Sequence, residues 1–169
     1  MNTLARSFAA ALLPLAALLA APAAQAQAVD DWQHTVPACA PDGLNSLRFA
    51  QINAPAGFVR ANNPDGGVLQ FTCNVLDSFA TMNPLWNRMV LQYRDAAGGR
   101  VMASLYQKNK TTGVSAMIAN VVSPASVAVA NTSVAAPAMD FGINTYYIVV
   151  SIQGSAQNPP QAHTVMLVQ

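Results

Sequence analysis

The sequence predicts an all-β fold, an antiparallel β-sandwich of about seven or eight short strands of the jelly-roll or immunoglobulin-like kind. Three observations support this prediction. Short segments alternate apolar and polar residues with period two, which places every second side chain on one buried face. Clusters of Gly, Asn, Asp and Pro separate these segments. No segment has a convincing helical period.

The first 28 residues have the features of a cleaved signal peptide. Arg6 precedes an apolar run from Phe8 to Ala21, and small residues then predict cleavage after Ala26 or Ala28. No later stretch is long and apolar enough for a membrane span, so we expect none in the mature chain. Residues 29–169 have the size of a single domain. The protein is predicted to be exported to the periplasm or the extracellular space, and the alanine-rich leader indicates a bacterial source.

The clearest strands lie in the middle of the chain. Leu69 to Val75 has apolar residues at the odd positions and follows a stretch of turn formers at 62–67. Apolar and polar residues also alternate in two further segments, Arg88 to Arg94 and Val101 to Lys108. Between them lie residues 95–99, which include Gly98 and Gly99. This arrangement predicts a β-hairpin.

The remaining strands follow in order. A turn at 108–113 leads into a strand at 114–119. The segment 123–139 consists almost entirely of small and β-branched residues and predicts a weak strand at Ser126 to Val129, followed by a mobile connection. Residues 144–152 are apolar on both faces, which is typical of a central strand, and His163 to Val168 closes the fold.

The two cysteines, Cys39 and Cys73, both lie in the mature chain. An even number of cysteines in an exported protein predicts a disulfide between them. The close Cys and His spacing of a metal site is absent, and so are the glycine-rich fingerprints of phosphate and dinucleotide sites. We therefore expect neither a bound metal nor a cofactor.

Charge is unevenly distributed along a neutral mature chain. Removing Arg6 with the leader leaves seven cations and seven aspartates, so net charge does not favour nucleic acid as a partner. Five of these cations lie within 88–110, where Asp95 is the one acid. The stretch 30–77 instead carries five aspartates and two arginines.

This cationic region is the predicted ligand-binding site. A symmetric hairpin would place Arg88 across from Tyr106 and Arg94 across from Arg100 on one outward face, with Lys108 beside them. Such a face could bind an anionic glycan or another polyanion. The alternative is a solvated sheet face whose cations discourage edge pairing.

Catalytic residues are not predicted. Charged residues make up only 9% of the chain and include no glutamate, which leaves few groups for acid and base chemistry. His34 and His163 are the only histidines, and a small secreted hydrolase that uses one of them is a second alternative. Trp32 and Trp86 could form platforms for sugar binding, although packing at strand ends is the more common role.

The chain is similar in general architecture to fimbrial subunits assembled by donor-strand exchange. The similarity rests on the leader, the early pair Cys39 and Cys73, and the alternating last strand. It implies self-association into a surface structure in which an N-terminal extension completes the sheet of the next subunit. Val168 stands where such subunits usually have a tyrosine, and Pro37 interrupts the segment that would be donated.

Overall fold

The computed structural model describes residues 31–62, 67–76, 83–96, 99–154 and 158–169. The predicted signal peptide and most of the predicted turn at 62–67 lie outside these ranges. The strands are β1 (Trp32–Thr35), β2 (Ala40–Asp42), β3 (Ala50–Asn53), β4 (Phe58–Ala61), β5 (Val68–Val75), β6 (Arg88–Asp95), β7 (Arg100–Asn109), β8 (Ser115–Val122), β9 (Ser126–Ala135), β10 (Asn144–Gln153) and β11 (Gln161–Val168). A 3-10 turn (Val36–Ala38) follows β1, and helix α1 (Gly43–Phe49) follows β2.

These strands form two antiparallel sheets packed face to face, which confirms the predicted β-sandwich. Sheet A has the order β3-β4-β11-β6-β9, with β1 also paired to β11. Sheet B has the order β2-β5-β10-β7-β8. Strand β10, the predicted central strand, lies in the middle of sheet B. The described chain has more strands than predicted because β1 to β4 are only three or four residues long, too short to show alternation.

The alternating segments face the core as predicted. Leu69, Phe71, Cys73 and Val75 in β5 are all buried, and their polar neighbours point outward. The inward residues of β6 and β7 are likewise buried: Met89, Leu91, Tyr93, Val101, Ala103 and Leu105. Period two therefore identified which side of these strands faces the core.

Helix α1 was not predicted from the sequence. Its seven residues include Leu44 and Leu47, which are both exposed, whereas Ser46 is buried and its hydroxyl accepts a hydrogen bond from Gln70 N at 2.8 Å. The helix therefore has no apolar stripe, and its sequence shows no helical periodicity of apolar residues. Neither this helix nor any other in the described ranges has the length and apolar character that crossing a membrane requires.

The predicted disulfide between Cys39 and Cys73 is confirmed, with a Cα to Cα distance of 4.6 Å. Cys39 directly precedes β2, which pairs with β5 in sheet B, and Cys73 lies in β5 itself. The bridge therefore fixes the start of the edge strand β2 to the buried face of its neighbour β5.

The predicted hairpin of β6 and β7 is wrong, because these strands belong to different sheets. β6 pairs with β11 and β9, and β7 pairs with β10 and β8. The chain therefore passes from sheet A to sheet B between Asp95 and Arg100, and we call this crossing the corner. A corner and a hairpin both need turn residues between two alternating strands, so the local sequence does not distinguish them.

Two glycines allow the corner to close. A Cβ atom on Gly99 would lie 2.7 Å from Asp95 Oδ1 and 3.0 Å from Pro160 Cγ, and one on Gly154 would lie 2.4 Å from Pro160 Cδ. Asp95 itself is buried, and its carboxylate accepts a hydrogen bond from the Ser123 hydroxyl. The glycines are needed for close approach of the chain at this corner.

Strand β9 is longer than the weak strand predicted at Ser126 to Val129. Its ten residues reach Ala135 and pair with β6, so the prediction of a mobile connection after Val129 is wrong. Its inward residues, Ala130, Thr132 and Val134, are small and only partly buried. Because these inward residues differ little in polarity from their outward neighbours, the alternation was not recognised there.

Candidate functional site

The five residues predicted to bind ligand lie on two opposite surfaces. Arg88 and Arg94 are on the outward face of sheet A, whereas Arg100, Tyr106 and Lys108 are on the outward face of sheet B. Arg94 pairs in register with Gln161, and Arg100 with Gln153. The single cationic surface predicted from a hairpin is therefore not formed.

On sheet A, the two arginines have separate surroundings. Arg94 Nε donates a hydrogen bond to Val127 O at 2.9 Å, which holds the start of β9. Arg88 lines a shallow hollow of about 690 Å³ together with polar residues such as Asn131 and Ser133. Arg94 does not line this hollow.

On sheet B, two tyrosines form the most distinctive feature. Tyr106 in β7 and Tyr147 in β10 are directly opposite in register, and both point outward and are partly exposed. Their ring centroids are 5.1 Å apart, and the planes differ by only 6°. The same row continues to Asn74 in β5 and Met117 in β8. A stacked aromatic pair thus stands in the middle of an open sheet face.

Polar groups lie beside Tyr147, whereas Tyr106 has Met117 as its register partner in β8. A hollow of about 480 Å³ is lined by Tyr147 together with Thr72, Asn74, Lys108, Ser115 and Thr145. A second hollow of about 550 Å³ surrounds the turn between β7 and β8 and shares Lys108 and Thr145 with the first. We call the surface formed by Asn74, Tyr106, Lys108, Thr145 and Tyr147 the tyrosine face.

The sheet beneath this face is held by hydrogen bonds. In the next row, Asn120 Nδ2 donates to Ser104 Oγ at 2.8 Å. At the turn, Asn109 Oδ1 accepts from the backbone N–H groups of Thr111 and Thr112 at 2.9 Å, and Gly113 has a φ of +71°, a backbone conformation that favours glycine. These bonds fix the backbone around Lys108 before any ligand binds.

Tyr146 points to the opposite side and belongs to the core, as the alternation of the two tyrosines predicts. Its ring contacts Phe141 edge-on at a centroid distance of 4.8 Å, and its hydroxyl accepts a hydrogen bond from Asp140 N at 2.7 Å. Trp86 contacts the same Phe141 at 6.3 Å and is buried, and Trp32 is buried as well. Both tryptophans therefore have the packing role rather than that of a sugar platform.

The two histidines lie in different surroundings. His34 stacks on Trp32, and its Nδ1 lies 3.5 Å from Cys39 Sγ. His163 contacts the ring of Phe58 at 5.5 Å. In the described ranges, neither histidine is hydrogen-bonded to a serine hydroxyl or to a carboxylate, which are the partners that a catalytic triad requires.

His34, Cys39 and Cys73 place one nitrogen and two sulfur atoms within 4.8 Å of one another. Zinc and similar metals bind cysteine as the thiolate. Both sulfur atoms are engaged in the disulfide, so this cluster does not provide a metal site in the oxidised protein.

Sequence reasoning missed three residues of the tyrosine face: Asn74, Thr145 and Tyr147. The outward orientation of Tyr147 follows from its alternation with Tyr146, since the latter is buried. Its position beside Tyr106 depends on the pairing of β10 with β7, strands that are far apart in sequence.

No protein-family model matches the sequence, and neither does any curated protein. Among solved structures, the chain is similar to CsCBM6-3 from Clostridium stercorarium, a carbohydrate-binding module in complex with cellobiose. The identity is 10%, the TM-score is 0.51, and the match covers 82% of this chain and 93% of that one. TmCBM61 in complex with β-1,4-galactotriose has 10% identity and a TM-score of 0.45, over 71% of this chain and 81% of that one. The likeness to CsCBM6-3 concerns the β-sandwich fold.

Proposed function

We propose that this exported protein binds carbohydrate without acting on it, and that the tyrosine face is the binding surface. The observation that carries the proposal is the stacked pair Tyr106 and Tyr147 on an outward sheet face. Large aromatic side chains usually lie in the core or at interfaces. An aromatic pair kept on a partly exposed sheet face therefore favours a role in binding.

The chemistry of the surface suits a sugar ring. A pyranose combines patches of C–H groups, which can contact aromatic rings, with hydroxyl groups that need hydrogen-bond partners. Asn74 and Thr145 offer an amide and a hydroxyl beside the rings, and these groups can both donate and accept hydrogen bonds. A shallow, open face of this kind fits an extended chain of sugars better than a small enclosed ligand.

Lys108 favours an acidic glycan over a neutral one. It is exposed and lines both hollows, so its ammonium group lies where a carboxylate or sulfate of the ligand could approach. Lys110 is less available, because its Nζ donates a hydrogen bond to Phe141 O at 2.5 Å. A single exposed ammonium gives modest selectivity that salt will weaken.

Two further observations support export and a binding role. The predicted leader and the disulfide Cys39–Cys73 are both typical of proteins from oxidising compartments outside the cytoplasm. CsCBM6-3 has the same kind of fold and was solved with cellobiose, so a sandwich of this type can present a sugar site.

The test measures binding of the purified protein to a panel of neutral and acidic polysaccharides by affinity electrophoresis and calorimetry. We expect Tyr106→Ala and Tyr147→Ala each to weaken binding about tenfold or more, which corresponds to about 1.4 kcal/mol. Tyr147→Phe retains the ring and should retain most of the affinity. Lys108→Met should weaken binding to acidic polymers at low salt and leave neutral ones unaffected.

The double variant Arg88→Ala, Arg94→Ala is the control, because it removes cations from the opposite sheet. It should bind as the unchanged protein does. If this control loses binding while the two tyrosine variants keep it, the surface that we propose is the wrong one. A folded protein that binds no member of the panel would contradict carbohydrate binding itself.

A further inference from the structure

The two rings of the tyrosine face are stacked, so each has one inner face and one outer face. Tyr106 and Tyr147 are register partners on the neighbouring strands β7 and β10, and their planes differ by 6° at a centroid distance of 5.1 Å. Two coplanar rings would collide at that distance, so the rings are offset face to face. Because β5 flanks β10 and β8 flanks β7, the outer face of Tyr147 is turned toward β5 and that of Tyr106 toward β8.

The two outer faces have different surroundings. Tyr147 lines the hollow of about 480 Å³ together with residues of β5, whereas Tyr106 does not line it. On its other side, Tyr106 has the register partner Met117, whose side chain is apolar and flexible. Tyr147 is therefore the ring that borders this polar hollow.

The hollow has one positive charge, and in the described part of the chain no acidic residue lines it. Besides Tyr147, its polar lining consists of an amide, three hydroxyls and an ammonium, those of Asn74, Thr72, Ser115, Thr145 and Lys108. Lys108 is exposed and is the diagonal neighbour of Tyr147 across β7 and β10, a separation of about 7 to 8 Å that a long side chain can bridge. A sugar ring that carries a carboxylate would thus find an aromatic face, hydrogen-bonding groups and a cation in one place.

We propose that this hollow holds one uronic acid unit of the glycan chain, with the sugar ring against the outer face of Tyr147 and the carboxylate at Lys108. Tyr106 is then a positioning residue, which supports the inner face of Tyr147 and does not touch the sugar. This assignment rests on the proposed function, because it requires that the tyrosine face bind carbohydrate. It adds the class of sugar and gives the two tyrosines different roles.

The stack explains why a second ring is needed behind Tyr147. A lone tyrosine on an outward sheet face can change rotamer, because solvent leaves room around it. A ligand that binds such a side chain has to offset the entropy lost when the ring is fixed. The ring of Tyr106 fixes Tyr147 before the sugar arrives, so this cost is smaller.

The class of sugar is tested by NMR titration of the protein with trimers of glucuronic acid and of galacturonic acid, each beside the neutral trimer of the same linkage. At low salt, at least one acidic trimer should bind about twofold to fivefold more tightly than its neutral counterpart, and about 0.5 M NaCl should reduce the difference. Lys108→Met should abolish it. If both neutral trimers bind as tightly as the acidic ones, the assignment to a uronic acid is overturned.

The roles of the two tyrosines are tested with isotope-labelled tyrosine rings. Nuclear Overhauser contacts from the sugar hydrogens should reach Tyr147 and not Tyr106. Tyr106→Leu should weaken binding about twofold to tenfold while the sugar still contacts Tyr147 at saturation, and Tyr106→Phe should keep the affinity because it keeps the stack. Contacts of equal strength to both rings would overturn the positioning role, and so would full affinity in Tyr106→Leu.

Met117→Ser is the matched control for Asn74→Ala. Both substitutions change an outward side chain beside the tyrosine pair, but Asn74 lines the hollow and Met117 lies on the other side of the stack. Asn74→Ala should weaken binding about threefold to tenfold, and Met117→Ser should leave it unchanged. Equal losses would mean that the glycan lies across the whole row, which would overturn the single-unit site. A circular dichroism spectrum of each variant shows whether it is folded.

Failure of the proposed function would give a different pattern. If neither the polysaccharides of the panel nor the trimers bind, the protein does not bind carbohydrate at all. If polysaccharides bind through the tyrosine face and neither acidic trimer does, the assignment of this hollow is wrong while the proposed function stands.

Discussion

Removing the disulfide should cost a large part of the stability of this protein. Cys39 and Cys73 are 34 residues apart, and closing a loop of that length lowers the entropy of the unfolded chain by about 12.6 cal/mol/K. At 25 °C this corresponds to about 3.8 kcal/mol, a substantial share of the 5 to 15 kcal/mol that is typical of a domain. Cys73 is also buried, so its replacement adds a smaller packing cost.

Urea denaturation of the double variant Cys39→Ala, Cys73→Ala measures this effect. We expect the free energy of unfolding to fall by about 3 to 5 kcal/mol and the m-value to rise, because the unfolded chain exposes more surface without the link. Reduction of the unchanged protein should produce most of the same loss. A loss below about 1 kcal/mol would refute the reasoning, since it would mean that the link scarcely restricts the unfolded chain.

Two further predictions concern the corner and the buried part of sheet A. Gly154→Ala should destabilise the fold by about 1 to 3 kcal/mol, because the new Cβ would lie 2.4 Å from Pro160 Cδ; an unchanged thermal midpoint would contradict this packing. Burial, and secondarily the nearby charge of Arg94, lowers the pKa of His163 below its usual value of 6.5. The unfolded chain therefore takes up a proton first as the pH falls below about 6.5, and stability drops. His163→Gln should reduce this loss between about pH 7 and pH 5 in urea titrations, and an identical loss in both proteins would be evidence against it.

The strands with strong alternation could be predicted from the sequence. In β5 and β7, apolar residues at every second position identify the buried face directly, and Leu69, Phe71, Val101 and Leu105 are all buried. The disulfide was predictable for a similar reason, because Cys73 lies on the inward side of β5 in a chain expected to be exported. Short or weakly contrasted elements such as α1 and the second half of β9 lacked such a pattern.

The candidate site was only partly predictable. Tyr106 and Lys108 were identified, and both belong to the tyrosine face. The arginines Arg88 and Arg94 were grouped with them because the predicted hairpin would place all four on one surface. They lie on the opposite sheet because the chain turns a corner after Asp95.

By itself, the sequence determined the β-sandwich class, the inward face of the main strands and the covalent link between Cys39 and Cys73. Only the tertiary structure decided which strands are neighbours, and with that which outward side chains meet. The alternation of apolar and polar residues is a local property of the sequence, and it reflects which side chains contact the core. Strand pairing instead joins segments that are distant along the chain. Tyr106 and Tyr147 are 41 positions apart in sequence, and they stack because β7 and β10 lie side by side in sheet B.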